Sequence, residues 1–297
     1  MQDTASLILL AALLPTDALR VPVPRMGAGL DTPTTRVSVG PLEQALLAAK
    51  ACSLAFVPPD AIPKSPYSSE LSCVGQVEDP DSLAGATVFT AANGDVVIAC
   101  RGSASLRNFR TNFRIGPVPL VTADGEKHPS ALVHEGFQDA GRQLWLLLEP
   151  LLPATGRVLV TGHSLGGGTA HFLTLFATAA GRDASLVTVA GPRLGNAAFA
   201  ECVAQSGADV THLLHSDDEV IKSNAKLWDD LGFCHAGTVV RCDKDAPRLY
   251  DEAGPVLTDS LDPSKVSLRG VLVDHCRYLG VYIGVRAQHP SVWFRPP

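Results

Sequence analysis

Arg157 to Gly168 reads RVLVTGHSLGGG, and this stretch decides the fold. A short apolar run, Val158, Leu159 and Val160, leads into Gly162-His163-Ser164-Leu165-Gly166. A run of helical composition follows from Thr169 to Ala180. Strand, tight turn and helix around G-x-S-x-G is the setting of a nucleophile elbow, which presents its serine on a strained turn. Gly162 and Gly166 carry no Cβ, so strand and helix can approach closely around Ser164. The serine then stands at a helix N-terminus, where unpaired backbone N–H groups can stabilise a developing oxyanion.

Working outward, strand-like and helix-like runs alternate. His134 to Leu152 has the spacing of a long helix, with Phe137, Leu144 and Leu148 toward one side. Arg157–Thr161 is the strand of the elbow, Ser185–Ala190 a second strand, Gly195–Gln205 a helix and Asp209–Leu214 a third strand. This alternation predicts a mostly parallel α/β sheet flanked by helices. Upstream, Leu42–Phe56 has helical composition, and Pro58–Ser69 reads as a loop. Thr87–Ala92 and Asp95–Cys100 flank Asn93-Gly94, a hairpin signal that makes the sheet mixed. Two strand-like runs lie between Gly237 and Tyr250, then a loop over 253–265, then a final helix from about His275. No linker separates two cores, so residues 42–297 are read as one domain.

Composition sets further bounds. The chain has 297 residues, 46% hydrophobic and 18% charged, enough to bury one large core. A net charge of −6 gives no electrostatic footprint for nucleic acid. No apolar run reaches the length of a transmembrane helix. Ser6–Leu14 (SLILLAALL) has the size of a signal-peptide core, but Asp3 and no Lys or Arg precede it. Residues 1–41 are therefore read as either an atypical targeting segment with a linker or a flexible tail. The destination is secretory or organellar on the first reading and cytoplasmic on the second. Seven cysteines leave at least one unpaired. Cys100 reads as a small buried hydrophobe, Cys234 and Cys242 as lying in one apparent hairpin where they could pair, and no C-x-x-C suggests zinc.

A serine hydroxyl is a weak nucleophile until a base lies within hydrogen-bond reach and a third group orients that base. On α/β-hydrolase folds the chain order is Ser, then Asp or Glu, then His. Asp209–Leu214 is the right kind of strand to precede the acid, and His215-Ser216-Asp217-Asp218-Glu219 follows it, so three acids compete. His235 and His275 are candidate bases, with His289 an outsider.

Several blocks in one order resemble the class 3 (fungal-type) lipase family of the α/β-hydrolase superfamily, over roughly residues 42–285. They are VIACRGS (97–103), SLRNFRTNF (105–113), VHEGF (133–137), GHSLGGG (162–168), TVAGPRLGN (188–196), LHSDDEV (214–220), FCHAG (233–237) and DHCRY (274–278). The resemblance implies Ser164 as nucleophile, Asp218 as acid and His275 as base. It makes Asp217 and Glu219 solvated loop charges, and His235, His134 and His163 neighbours of the site. It implies an oxyanion hole from the N–H of Leu165 and from Ser103. It also implies a lid over 104–113, whose Leu106, Phe109 and Phe113 share a helical face opposite Arg107, Arg110 and Arg114. The chain departs from the family at Phe109 (usually Trp), Asn112 (usually Asp) and Ile221 (usually Pro). The implied activity is hydrolysis of ester bonds in acylglycerols or related lipids, with no metal or organic cofactor. A soluble esterase of the feruloyl type and a silent α/β-hydrolase used for interaction remain as alternatives.

Overall fold

The computed structural model describes residues 40–102, 116–250 and 273–284, with Ala287. Its framework is an eight-stranded sheet in the order β1-β2-β3-β6-β7-β8-β9-β10. These strands are β1 (Leu71–Glu78), β2 (Gly85–Ala91), β3 (Val96–Arg101), β6 (Val158–His163), β7 (Ala184–Val189), β8 (Asp209–Leu214), β9 (Thr238–Cys242) and β10 (Leu249–Tyr250). The five strands β3, β6, β7, β8 and β9 pair in parallel, and antiparallel pairs close both ends. β4 (Pro117–Val121) and β5 (Lys127–His134) form a separate antiparallel ribbon.

Both faces of the parallel strands are covered, and the residues alternate between two cores. Along β3, Val97 and Ala99 face α1 (Gly40–Leu54), while Val96, Ile98 and Cys100 face the opposite layer. That layer holds α2 (Glu135–Leu148), α3 (Leu165–Ala179) and α4 (Ala197–Gln205). Side chains of a strand point to opposite faces with period two, so a strand buried on both sides reads as an unbroken apolar run. VVIAC in β3 and VLV in β6 read that way. Each fully buried Val, Leu or Phe contributes roughly 1.5–3 kcal/mol. Helix α5 (Glu219–Asp230) follows β8 and completes the crossover to β9.

Two expectations are corrected. The described chain makes no long helix from His275; one turn ends there, and β11 (Arg277–Tyr278) pairs with β12 (Val281–Tyr282). Leu279 and Gly280 both have positive φ, 55° and 78°, which turns the chain after four helix-compatible residues. The alternating burial of Tyr278, Val281 and Ile283 suits that hairpin and the core beneath it. Cys234 and Cys242 do not bridge. All seven cysteines are free thiols, Cys234 precedes β9 rather than sharing a hairpin with Cys242, and the Cys242 thiol points to the Leu214 carbonyl at 3.6 Å.

Candidate active site

The elbow lies where β6 turns into α3. Ser164 has φ 55° and ψ −125°, a backbone region that costs about 1–3 kcal/mol for a residue with a side chain. The surroundings over-determine it. A Cβ on Gly162 would lie 2.2 Å from the Gly166 carbonyl oxygen, and one on Gly166 would lie 2.3 Å from that of Cys100. Strand β6, helix α3 and the end of β3 are therefore in backbone contact around the serine. The Ser164 N–H donates to the Val189 carbonyl at 2.9 Å, which ties the turn to β7. Leu165 opens α3, so its N–H is one of those that no earlier turn of the helix can accept.

Gly102, at the end of β3, fixes the approach from the other side. A Cβ there would meet the His163 carbonyl at 3.1 Å and Ser164 Cβ at 3.8 Å. The chain entering Ser103 thus starts beside the elbow. Ser103 itself, and Leu106, Phe109 and Phe113 of the expected lid, lie outside the described residues, as does His289.

Asp218 is fully buried and caps α5, accepting the Val220 and Ile221 N–H groups at 3.1 and 3.2 Å. Its two oxygens also receive the His275 Nδ1–H, at 3.1 and 2.9 Å, and Oδ2 accepts the Tyr278 hydroxyl at 2.6 Å. Burial alone would raise this carboxyl. The positive charge and hydrogen bond of His275, then Tyr278, outweigh it and hold the acid well below the usual carboxylate range. With Nδ1 carrying the proton toward Asp218, His275 keeps Nε2 free as a base.

The three competing acids have different surroundings. Asp217 is exposed and pairs with Lys244 at 3.1 Å. Glu219 pairs with Lys222 at 2.9 Å. Only Asp218, of the three, is buried against a histidine.

His163 ties His275 to the elbow. Its ring lies 4.7 Å from that of His275, and its Nε2–H donates to the His275 carbonyl at 2.7 Å. Burial, then the adjacent His275, pushes its pKa down to about 3, so it stays neutral. His235 goes elsewhere. It packs 4.6 Å from His212, which stacks 5.1 Å from His171 beneath α3. His134, on β5, packs on Phe137 and Trp228. Tyr278, within DHCRY, is a site residue that the sequence motifs do not single out. Its place three residues after His275, and an apolar neighbourhood that would strand an unpaired hydroxyl, were the available signals. Among the described residues no cluster of three or more His, Cys, Asp or Glu is arranged to hold a metal ion, and no helix is long and apolar enough to cross a membrane.

Known proteins resemble this chain in sequence and in fold. The family described as Lipase (class 3) matches residues 97–227. The secreted mono- and diacylglycerol lipase 1 of Fusarium solani is 33% identical over 156 residues, which is 50% of this chain and 45% of that protein. A lipase of Rhizomucor miehei is 32% identical over 213 residues, 65% of this chain and 55% of its own length. The chain therefore spans about half the length of these relatives. Lipase II of Rhizopus niveus superposes with a TM-score of 0.62 at 20% identity, covering 84% of this chain and 98% of that one, which is a likeness of fold. Over the matched residues the chain is similar to the class 3 lipase family, and the sheet that carries the elbow has an α/β-hydrolase fold.

Proposed function

We propose that this protein hydrolyses carboxylic ester bonds in acylglycerols or related lipids through an acyl-enzyme. The observation that carries the reading is the buried Asp218–His275 pair, held against the turn that presents Ser164. Ser164 Oγ attacks the ester carbonyl while His275 Nε2 takes its proton. Asp218 holds the imidazole in the required tautomer and stabilises the imidazolium. The oxyanion is bound by the Leu165 N–H and, by family resemblance, by Ser103. His275 returns the proton to the departing alcohol. Water then attacks the acyl-enzyme by the same route and restores Ser164 with release of the acid.

The names of the relatives support lipids as the substrate class over the feruloyl-type and silent alternatives. We read 104–113 as the segment that covers the site, with Leu106, Phe109 and Phe113 as its substrate-facing side. The test is a panel of glycerides, phospholipids and soluble short-chain esters, run with the parent and Ser164→Ala. Labelling of the parent by a fluorophosphonate probe and its loss in Ser164→Ala are expected. Near-parental hydrolysis by Ser164→Ala would sink the assignment. Soluble esters turned over while every emulsion is refused would replace the lipid reading by the esterase one.

A further inference from the structure

The acid and the base come from loops 57 residues apart, and one lysine joins the residues that precede them. Lys244 Nζ lies 3.1 Å from Asp217 Oδ2 and 2.9 Å from Asp274 Oδ1. Asp217 is the neighbour of Asp218, and Asp274 the neighbour of His275.

The root of Lys244 is itself fixed. Residues 243–246 form a tight turn after β9, in which Asp243 Oδ1 accepts the Asp245 and Ala246 N–H groups at 2.8 and 3.1 Å. The turn docks on the hairpin that follows His275. The Leu279 N–H donates to the Asp243 carbonyl and the Gly280 N–H to the Lys244 carbonyl, at 2.9 and 3.0 Å. Arg277 bonds Asp245 at 2.9 Å. The lysine stem therefore leaves a rigid platform already fastened to the base's own hairpin. A second link runs parallel to it. The Asp217 N–H donates to His215 Nδ1 at 3.2 Å, and the His215 Nε2–H donates to the Asp274 carbonyl at 3.0 Å.

We propose that Lys244 is a positioning residue, whose ammonium bridges Asp217 and Asp274 and so holds in register the two loops on which Asp218 meets His275. The inference rests on the esterase reading above. The bridge is half open to water, with Lys244 23%, Asp217 56% and Asp274 28% exposed. Its consequence lies in alignment, because a misplacement of about 1 Å in reacting groups costs as much as a hundredfold in rate. One ammonium also serves two carboxylates, so a single side chain is ordered for two contacts.

Lys244 also acts on the charge around the base. Facing His275 and its partner are Asp218, Tyr278, His163 and His215, with Asp274, Asp217, Asp243 and Cys242 on the adjoining segments. Removing Lys244 takes away a cation and leaves Asp217 and Asp274 uncompensated. The two like-charged carboxylates then repel each other across the gap that the ammonium had bridged.

The test compares the parent, Lys244→Met, Lys244→Arg, Ser164→Ala and the surface control Lys226→Met. Lys226 pairs with Asp230 at the far end of α5. Rates of fluorophosphonate labelling are read first, then kcat and KM on a soluble short-chain ester. Lys244→Met is expected to label roughly 10- to 100-fold more slowly, with kcat reduced and KM little changed. Lys244→Arg should recover most of the rate, and Lys226→Met should match the parent. Parental labelling by Lys244→Met overturns the proposal and leaves the esterase reading standing. So does a loss that follows the folded fraction in circular dichroism. If Lys244→Met does not fold, Asp217→Asn/Asp274→Asn breaks the same bridge from the carboxylate side, and parental labelling by that double variant overturns the proposal. A parent that neither labels nor depends on Ser164 removes the esterase reading, and Lys244's role with it.

Discussion

The elbow and the acid–base pair are built by opposite means. Everything that shapes the elbow lies within a few residues of Ser164 or in the strands beside it, and it is enforced by backbone contact at Gly162 and Gly166. The acid–base pair joins residues 57 positions apart, and it is enforced by side-chain hydrogen bonds from Tyr278, His163, His215 and Lys244. The elbow should therefore break by sterics and lose its fold. The pair should break by electrostatics and lose rate while the fold survives.

The sharpest contrast is between two alanines in the same turn. Ser164→Ala removes only Oγ. It should leave the thermal midpoint close to the parent's and reduce kcat by about a millionfold if the triad acts as a unit. Gly162→Ala leaves every catalytic group in place but puts a Cβ 2.2 Å from a backbone oxygen. It should cost more than ~4 kcal/mol, beyond the usual range for one substitution. Denaturant unfolding beside the ester assay separates them. A well-folded, active Gly162→Ala would show that the turn has slack, and the contrast would fail.

Next comes the acid. Asp218→Asn keeps the shape of the side chain but fixes the wrong partner for His275. A loss of about 10⁴ in kcat is expected. Asp217→Asn weakens one arm of the Lys244 bridge and should lose at most about tenfold. If Asp217→Asn were the inactive one, the assignment through LHSDDEV would be out by one residue.

These two regions also differ in how far the sequence reveals them. RVLVTGHSLGGG carries its strand, its turn chemistry and its helix in one window, because the Gly162–Gly166 contact that shapes the turn is local. The parallel strands were legible because burial on both faces leaves unbroken apolar runs such as VVIAC. β1 was not read. It is an edge strand whose partly exposed residues, LSCVGQVE, carry no clean alternation and include a register shift between Cys73 and Gly75. The ribbon of β4 and β5 carries no clean alternation either, since prolines interrupt both strands and Lys127 opens β5. α5 was masked by reading LHSDDEV only for its acids, although Asp218 is also its N-cap. The hairpin after His275 was mistaken for a helix because RYLGVYI holds residues that suit either, and only the positive φ at Leu279 and Gly280 decides it. The links of Lys244 and Tyr278 to the site are tertiary, so no window of sequence contains both ends.

Tyr278→Phe tests the pair with a smaller change. It removes a 2.6 Å bond to the most deeply buried charge of the site and leaves the ring in place. Hydrogen bonds to charged groups contribute about 1.5–3 kcal/mol, so stability should fall by that order. Catalysis should fall about tenfold, since Asp218 keeps its bonds to His275 and the α5 N-terminus. The sign of the pH effect follows from the depressed carboxyl. Its stabilising contribution is present above the unfolded value near pH ~4 and is lost as pH falls through the folded one. The carboxyl stays ionised in the fold well below pH ~4, so Tyr278→Phe should cost about the same stability near pH ~5 as near pH ~7. A cost that vanished by pH ~5 would mean that the hydroxyl does not act through the ionised acid.

The smallest effect separates the two regions by pH. Behind the elbow, burial pushes His171 down to about 3 and His212 to about 4, and their rings stack 5.1 Å apart. Buried groups of this kind are neutral in the fold and titrate near ~6.5 when unfolded. As pH falls below that value, the unfolded chain takes up protons that the native one does not. Each such histidine then removes about 1.4 kcal/mol of stability per pH unit, until its folded value is reached near ~4 or below. The loss linked to Asp218 begins only below about pH 4. On acidification the histidines behind the elbow should thus weaken the fold before the catalytic carboxylate does. His171→Gln keeps a donor for the Gly167 carbonyl that His171 now bonds at 2.8 Å, and it removes the titration. Between pH ~6 and ~4.5 the stability of His171→Gln, measured by denaturant midpoint, should fall less steeply than the parent's by about one proton. A slope equal to the parent's would mean that His171 is protonated in the fold or hidden in the unfolded chain. The acid sensitivity in that window would then belong to the other buried histidines, His212 and His163 among them.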